Sequence, residues 1–159
     1  MGKITSDSKV TLRLVTAETL DTILGLKVRE DQTQFIATNA KSIAQAHFHQ
    51  EAWFRAIYAD EVPVGFVMLY DEGLRDHSPE NPTYFLWRFM IDKRFQGSGF
   101  GRQAMGLLIN QVRSRPQAQE LLLSYRQGVG SPEGFYRSLG FVHTGEEHEG
   151  EIEMRLSLQ

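Results

Sequence analysis

Residues 84–105 read YFLWRFMIDKRFQGSGFGRQAM: an apolar run, a turn holding three glycines, then the start of an amphipathic stretch. The first nine residues are aromatic and aliphatic with little alternation, the pattern of a strand covered on both faces. From Gln103 to Val112, the apolar residues Met105, Leu108, Ile109 and Val112 recur at helical spacing. Between these elements stand Gly97, Gly99 and Gly101. A glycine costs roughly 0.5–1 kcal/mol relative to alanine in a regular element. Placed at a strand-to-helix junction, the three imply that something approaches the backbone where a Cβ would stand. Free N–H groups at a helix start, with the macrodipole behind them, bind anions. Arg94 and Arg102 flank the turn and can add charge-assisted bonds. A plain glycine-rich turn with incidental arginines is the alternative.

Two phosphate-loop templates fail. Walker A needs Lys and then Ser or Thr after its last glycine, whereas Gly101 is followed by Arg102 and Gln103. The dinucleotide fingerprint G-x-G-x-x-G spaces its glycines differently and opens a fold near its first strand. What remains is strand, R-x-x-G-x-G (Arg94 to Gly99), helix.

The flanking sequence completes one mixed domain over residues 1–159. VTLRLV (Val10 to Val15) alternates as a strand, and Thr16 is placed to cap a helix from Ala17 to about Val28. A second helix is expected over Ser42 to His49. WFRAIYAD and FVMLYDEG read as strands joined by the turn EVPVG, and residues 71–82 as a loop. ELLLSY (Glu120 to Tyr125) is another buried strand. Ser131-Pro132-Glu133 starts a helix with Ser as cap, and Gly140 stops it. FVHTGEE and EIEMRLSL form a closing hairpin around Glu147 to Gly150. The order β-α-α-β-β-β-α-β-α-β-β gives an α/β or α+β domain.

Composition narrows the function. A net charge of −3 without a basic block argues against nucleic acid as a partner. Cysteine is absent, which excludes disulfides, cysteine metal sites and a thiol acyl-enzyme. His47, His49, His77, His143 and His148 show no metal-ligand spacing, so no metal is expected. No apolar stretch approaches 18 residues and the start lacks an apolar leader, so no membrane association and a cytoplasmic location are expected. Gly2 with Ser6 matches only the opening of a myristoylation pattern.

R-x-x-G-x-G after a buried strand, then ELLLSY, a short helix and YRSLGF (Tyr136 to Phe141), resembles the GCN5-related N-acetyltransferase superfamily. Gln32 to Ala46 (QTQFIATNAKSIAQA) with Tyr84 to Met105 is similar, more narrowly, to the bacterial spermine/spermidine acetyltransferases. The resemblance implies a mixed, mostly antiparallel central sheet flanked by helices. It implies that backbone groups of Phe89, Met90 and Ile91 meet the pantetheine arm of acetyl-CoA. Arg94, Gln96, Gly97, Ser98, Gly99, Phe100, Gly101 and Arg102 would then hold the pyrophosphate, and Tyr136 would protonate the leaving thiolate. A homodimer is implied too.

Two departures stand out. The asparagine that the superfamily often places seven residues before the tyrosine is Val129 here, so Ser131 or backbone groups must serve. YFLWRFMID has no carboxylate before Asp92, so the usual central-strand base is missing. The expected chemistry is direct attack of a neutral amine on bound acetyl-CoA. An alkyl amine with an unperturbed pKa of about 10.4 arrives protonated. A water leading to Glu30, Asp31 or Asp71 is the expected drain. For the acceptor itself, Glu30, Asp31, Glu51, Asp71 and Trp87 are candidates. The tail glutamates Glu146, Glu147, Glu149, Glu151 and Glu153 are further ones, though a solvated hairpin accounts for most of them. The expected function is acetylation of a primary amine of spermine or spermidine. The alternatives are another amine (an aminoglycoside, an amino acid or a protein N-terminus) or a non-catalytic acyl-CoA sensor.

Overall fold

The computed structural model describes residues 3–159, so Gly2 and its myristoylation match lie outside the described residues. The strands are β1 (Val10–Arg13), β2 (Ala52–Ala59), β3 (Val62–Asp71), β4 (Tyr84–Ile91), β5 (Glu120–Arg126), β6 (Val142–His148) and β7 (Glu151–Ser157). They make one sheet in the order β1-β2-β3-β4-β5-β7-β6. Among the described residues only the β4–β5 pair is parallel. The helices are α1 (Leu20–Leu24), α2 (Asn39–His47), α3 (Phe100–Arg113) and α4 (Glu133–Ser138). Chain order matches the sequence reading, and the sheet is mixed and mostly antiparallel, as expected.

Several boundaries move, each for a local reason. α1 is far shorter than Ala17 to Val28, because Thr19 stands at its start and Gly25 at its end. Thr16 does not cap it; the Thr16 N–H donates instead to Thr19 Oγ1. α2 starts earlier than Ser42, with the Thr38 hydroxyl accepting the Lys41 N–H. Asp60 and Glu61 alone separate β2 from β3, so Val62 to Gly65 are strand rather than turn. Ser131 caps nothing: Pro132 stands at the start of α4 without a side-chain cap bond. Gly140, at φ +103°, does end the last helix in the left-handed conformation that favours glycine.

The sheet buries both faces over its first half. Ile57, Val64, Leu69, Leu86 and Ile91 pack against Phe100, Met105, Leu108 and Val112 of α3. On the other face Ala56, Phe66, Met68 and Met90 pack with Ile23, Leu26 and Ile43 from the α1–α2 side. No residue of β5, β6 or β7 belongs to this second core. Among the described residues, no helix is long and apolar enough to cross a membrane.

One bulge positions everything that follows. Met68 pairs with Arg88 but Leu69 pairs with Leu86, leaving Trp87 as an extra residue in β4. Before it, Tyr84 and Leu86 enter the α3-side core; after it, Phe89 and Ile91 do. Trp87 and Met90 pack on the α1–α2 side. A bulge bends its strand and tightens the local twist. Beyond it β4 leaves β5: the two pair only at Phe85–Leu122 and Leu86–Leu123. β5 meanwhile keeps β7 along its whole length.

Gly65, opposite Ile91 in the register, lets β3 and β4 approach behind this gap. A Cβ at Gly65 would strike the Met90 carbonyl oxygen and stand 2.9 Å from Ile91 Cδ1. A backbone oxygen cannot step aside cheaply. Gly65→Ala should therefore cost about 2–3 kcal/mol, at the upper end of overpacking penalties. A denaturant midpoint equal to that of the parent protein would refute this.

Candidate active site

Where β4 and β5 part, the sheet opens into a cleft of about 1730 Å³. Its walls are β4 from Phe85 to Ile91, the glycine turn, Ser124 to Arg126 of β5, the start of α4 and the 3₁₀ turn over Glu30–Phe35. The β5-facing backbone groups of β4 beyond Leu86 have no strand beside them. Unpaired backbone polar groups need partners, so this edge is suited to an extended amide-bearing chain.

The glycine turn opens onto the same cleft. Gly97 (φ +85°) and Gly99 (φ +82°) are left-handed, a conformation any other residue would strain to adopt. At both, nothing lies within 4 Å of where a Cβ would stand. The N–H groups of Gly97 through Arg102 have no acceptor among the described residues. α3, 14 residues long, adds its positive end. A cradle of free amides beside a bare strand edge fits a pyrophosphate joined to a pantetheine arm.

The side chains around the turn divide into two groups. Phe89 stacks on Phe135 of α4, centroids 5.9 Å apart, and a Cβ on Gly101 would touch both rings and Ile91 at 3.5–3.6 Å. Met90 turns its side chain away into the second core, so only its backbone faces the cleft edge. Arg102 reaches Ser138 at 2.8 Å across the mouth of the turn. Phe100 is buried in the α3-side core, and Ser98, half-buried at the turn, is not among the lining residues. Ser131 does line the cleft.

Arg94 and Gln96 are already engaged. Arg94 Nε donates to Asp92 at 2.8 Å, and Gln96 Nε2 donates to the Ile91 carbonyl at 2.9 Å and to Gln32 at 3.0 Å. Asp92 is the buried anchor here, also accepting the Lys27 N–H and the Arg94 N–H. Burial pushes its carboxyl up, but these hydrogen bonds outweigh burial and hold it below the ordinary range. The sequence reading treated Asp92 only as the end of a strand; its position just before a glycine turn was the available signal.

Tyr136 lies on α4 between Phe135 and Phe141, ring centroids 5.6 and 5.8 Å away. It lines the cleft, and its hydroxyl makes no hydrogen bond among the described residues. Burial raises its pKa well above the ordinary value, so the proton stays on at neutral pH.

The predicted acceptor residues are not brought together. Trp87 lines the cleft, edge-on to His49 and Tyr70. Asp71 is buried in an ion pair with Arg115 at 2.7 Å, and Glu51 pairs with Arg75 at 3.0 Å. Asp31 pairs with Arg29 at the surface, Glu30 is exposed, and none of these four carboxylates lines the cleft. The acidic lining comes instead from Glu147, Glu149, Glu151 and Glu153 of the final hairpin. Strand alternation was the signal, since it sets Glu151 and Glu153 on one face; the fold leaves that face uncovered. Arg88 is a half-buried cation lining the site. It donates to the Trp87 carbonyl and to Gln45, while its Nε has no partner among the described residues. Burial lowers its pKa, partly offset by Glu151.

Residues 20–141 match the family model described as acetyltransferase (GNAT) family. The chain is 27% identical over 142 residues to the spermine/spermidine N(1)-acetyltransferase of Bacillus subtilis (strain 168), covering 86% of this chain and 90% of that one. Its fold is similar to that of an aminoglycoside N(6')acetyltransferase from Legionella pneumophila, with TM-score 0.71, 13% identity, and 96% and 94% of the two chains covered. It is also similar to Arabidopsis thaliana Naa50, solved in complex with the bisubstrate analogue CoA-Ac-MVNAL, with TM-score 0.63, 16% identity, and 93% and 98% covered.

Proposed function

The chain belongs to the acetyltransferase (GNAT) family and is an acetyl-CoA-dependent N-acetyltransferase, and from that premise we propose that its acceptor is a primary amine of a polyamine such as spermine or spermidine. The observation that carries this is the acidic end of the cleft. Glu147, Glu149, Glu151 and Glu153 all line it. Several carboxylates with part of their water retained attract a polycation without locking it. The 27% identity to a spermine/spermidine acetyltransferase points the same way.

Bound acetyl-CoA supplies a thioester whose carbonyl carbon an amine can attack. In this reading the amides of Gly97 to Arg102 hold the pyrophosphate, and Arg102 and Ser131 are placed at the same mouth. Phe89 and Gly101 shape the wall beneath the arm. Tyr136, protonated and with a hydroxyl that makes no hydrogen bond among the described residues, would donate to the leaving sulfur. A single domain over 1–159, resident in the cytoplasm as a homodimer, belongs to the same reading.

A second acceptor class has one observation in its favour. Arg88, with its unpartnered Nε, and Lys41 line the same cleft, and they suit an acceptor that also carries a carboxylate. CoA release from acetyl-CoA, read with a thiol reagent, separates the two across spermine, spermidine, putrescine, lysine and an aminoglycoside. The protein has no cysteine and adds no background. The expected result is turnover with spermine or spermidine at least tenfold above the rest. Lysine in first place would shift the assignment to a carboxylate-bearing acceptor.

A further inference from the structure

The acceptor arrives as an ammonium, and β4 carries no carboxylate facing the gap to take its proton. We infer that Glu153, coupled to His148, is the base. The inference rests on amine acetylation, not on which amine is used. Glu153 lies opposite Ser124 in the β5–β7 register, one strand in from the gap that β5 borders. Its neighbours Ile152 and Met154 point into the α3-side core, so Glu153 points to the uncovered face. Its side chain is only 15% exposed, whereas that of His148 is 61% exposed. Both line the cleft.

The two carboxylate oxygens have different partners. Oε1 accepts the Thr144 hydroxyl at 2.9 Å, and Oε2 lies 3.3 Å from His148 Nε2. Thr144 is held there by an irregularity in β6, which carries extra residues between His143 and Glu147 where β7 has only Glu153 between Met154 and Ile152. Gly145, at φ +92°, makes that excursion. One end of the carboxylate is therefore fixed, and the other joins an imidazole open to water. The charged groups around Glu153 are Glu151 and Arg155 on its own strand, Arg126 on β5, Glu147 and His148 on β6, and Arg88 across the gap.

The protons balance as follows. One leaves the acceptor nitrogen for Glu153, directly or through a water, and passes by His148 to solvent. The freed lone pair forms the C–N bond as the C–S bond breaks. The second nitrogen proton ends on the departing sulfur, to which Tyr136 donates a hydrogen bond. A base acting this way contributes on the order of 10²-fold.

The test is Glu153→Gln in the full chain, with kcat and KM for spermidine measured from pH 6 to 10.5. At pH 7.5, kcat should fall about 30- to 100-fold with KM within threefold of the parent value. The deficit should shrink towards pH 10.5, where an amine of pKa about 10.4 arrives neutral unaided. His148→Asn, at a side chain that is 61% exposed, should lose about 3- to 10-fold with the same narrowing and an unchanged Tm. A raised KM with unchanged kcat would make Glu153 an attracting charge only and overturn the inference. A deficit constant across pH would overturn it too. Parent protein that binds acetyl-CoA yet acetylates no amine would instead remove the function on which the inference rests.

Discussion

Tyr136→Phe is expected to lower kcat by about 10²- to 10³-fold, the usual effect of removing one donor aimed at developing charge. Affinity for acetyl-CoA should stay the same. The side chain is 8% exposed, and its aromatic contacts to Phe135 and Phe141 survive the change. Its hydroxyl has no internal partner to lose, so folding stability should move by less than about 1 kcal/mol. Burial also refines the chemistry expected from the sequence. Burial raises the Tyr136 hydroxyl above the ordinary tyrosine range, so it holds its proton more firmly than an exposed tyrosine would. In the proposed mechanism Tyr136 would then act as a hydrogen-bond donor that steadies the sulfur while the C–S bond breaks. Single-turnover rates with saturating acetyl-CoA check this, and an unchanged rate would remove Tyr136 from the chemistry.

Asp71→Ala should have its large effect on stability and leave substrate affinity alone. Asp71 ends β3, is 1% exposed, and accepts both Arg115 Nε at 2.7 Å and the Gly73 N–H at 2.9 Å. Truncation strands a partly buried guanidinium and an amide together. Breaking a buried pair from one side costs about 3–5 kcal/mol, and the partial exposure of Arg115 favours the lower end. A loss near 3 kcal/mol lowers Tm by roughly 6–12 °C in a chain of this size. KM for acetyl-CoA and for the amine should be unchanged, because Asp71 is not part of the cleft. A Tm within 2 °C of the parent would show that the pair contributes nothing.

The cofactor end of the site was far more legible in the residues than the acceptor end. Gly97, Gly99 and the helix they introduce declare an anion cradle within ten residues, and Tyr136 and Gly140 sit inside a local motif. Asp71 and Glu51 illustrate the opposite case. Acidic residues beside a strand read equally well as substrate ligands, and only the arrival of Arg115 and Arg75 shows that they are occupied. Glu153 is the converse: a glutamate in an apparently solvated hairpin lies largely buried in the cleft lining.

The element order, the glycine turn, the helix stop at Gly140 and the lack of a cysteine nucleophile are legible in the residues alone. These depend on backbone preference, side-chain period and residue type, all readable within a few positions. Tertiary structure decided where the cleft opens and which charges face it. The gap follows from an extra residue, Trp87, that is visible only through pairing with β3. Glu153 meets Ser124 only because β7 inserts beside β5, and Asp71 meets Arg115 across 44 positions. Register and burial are long-range properties, and a carboxylate is paired off or left facing the cleft according to what the fold sets against it.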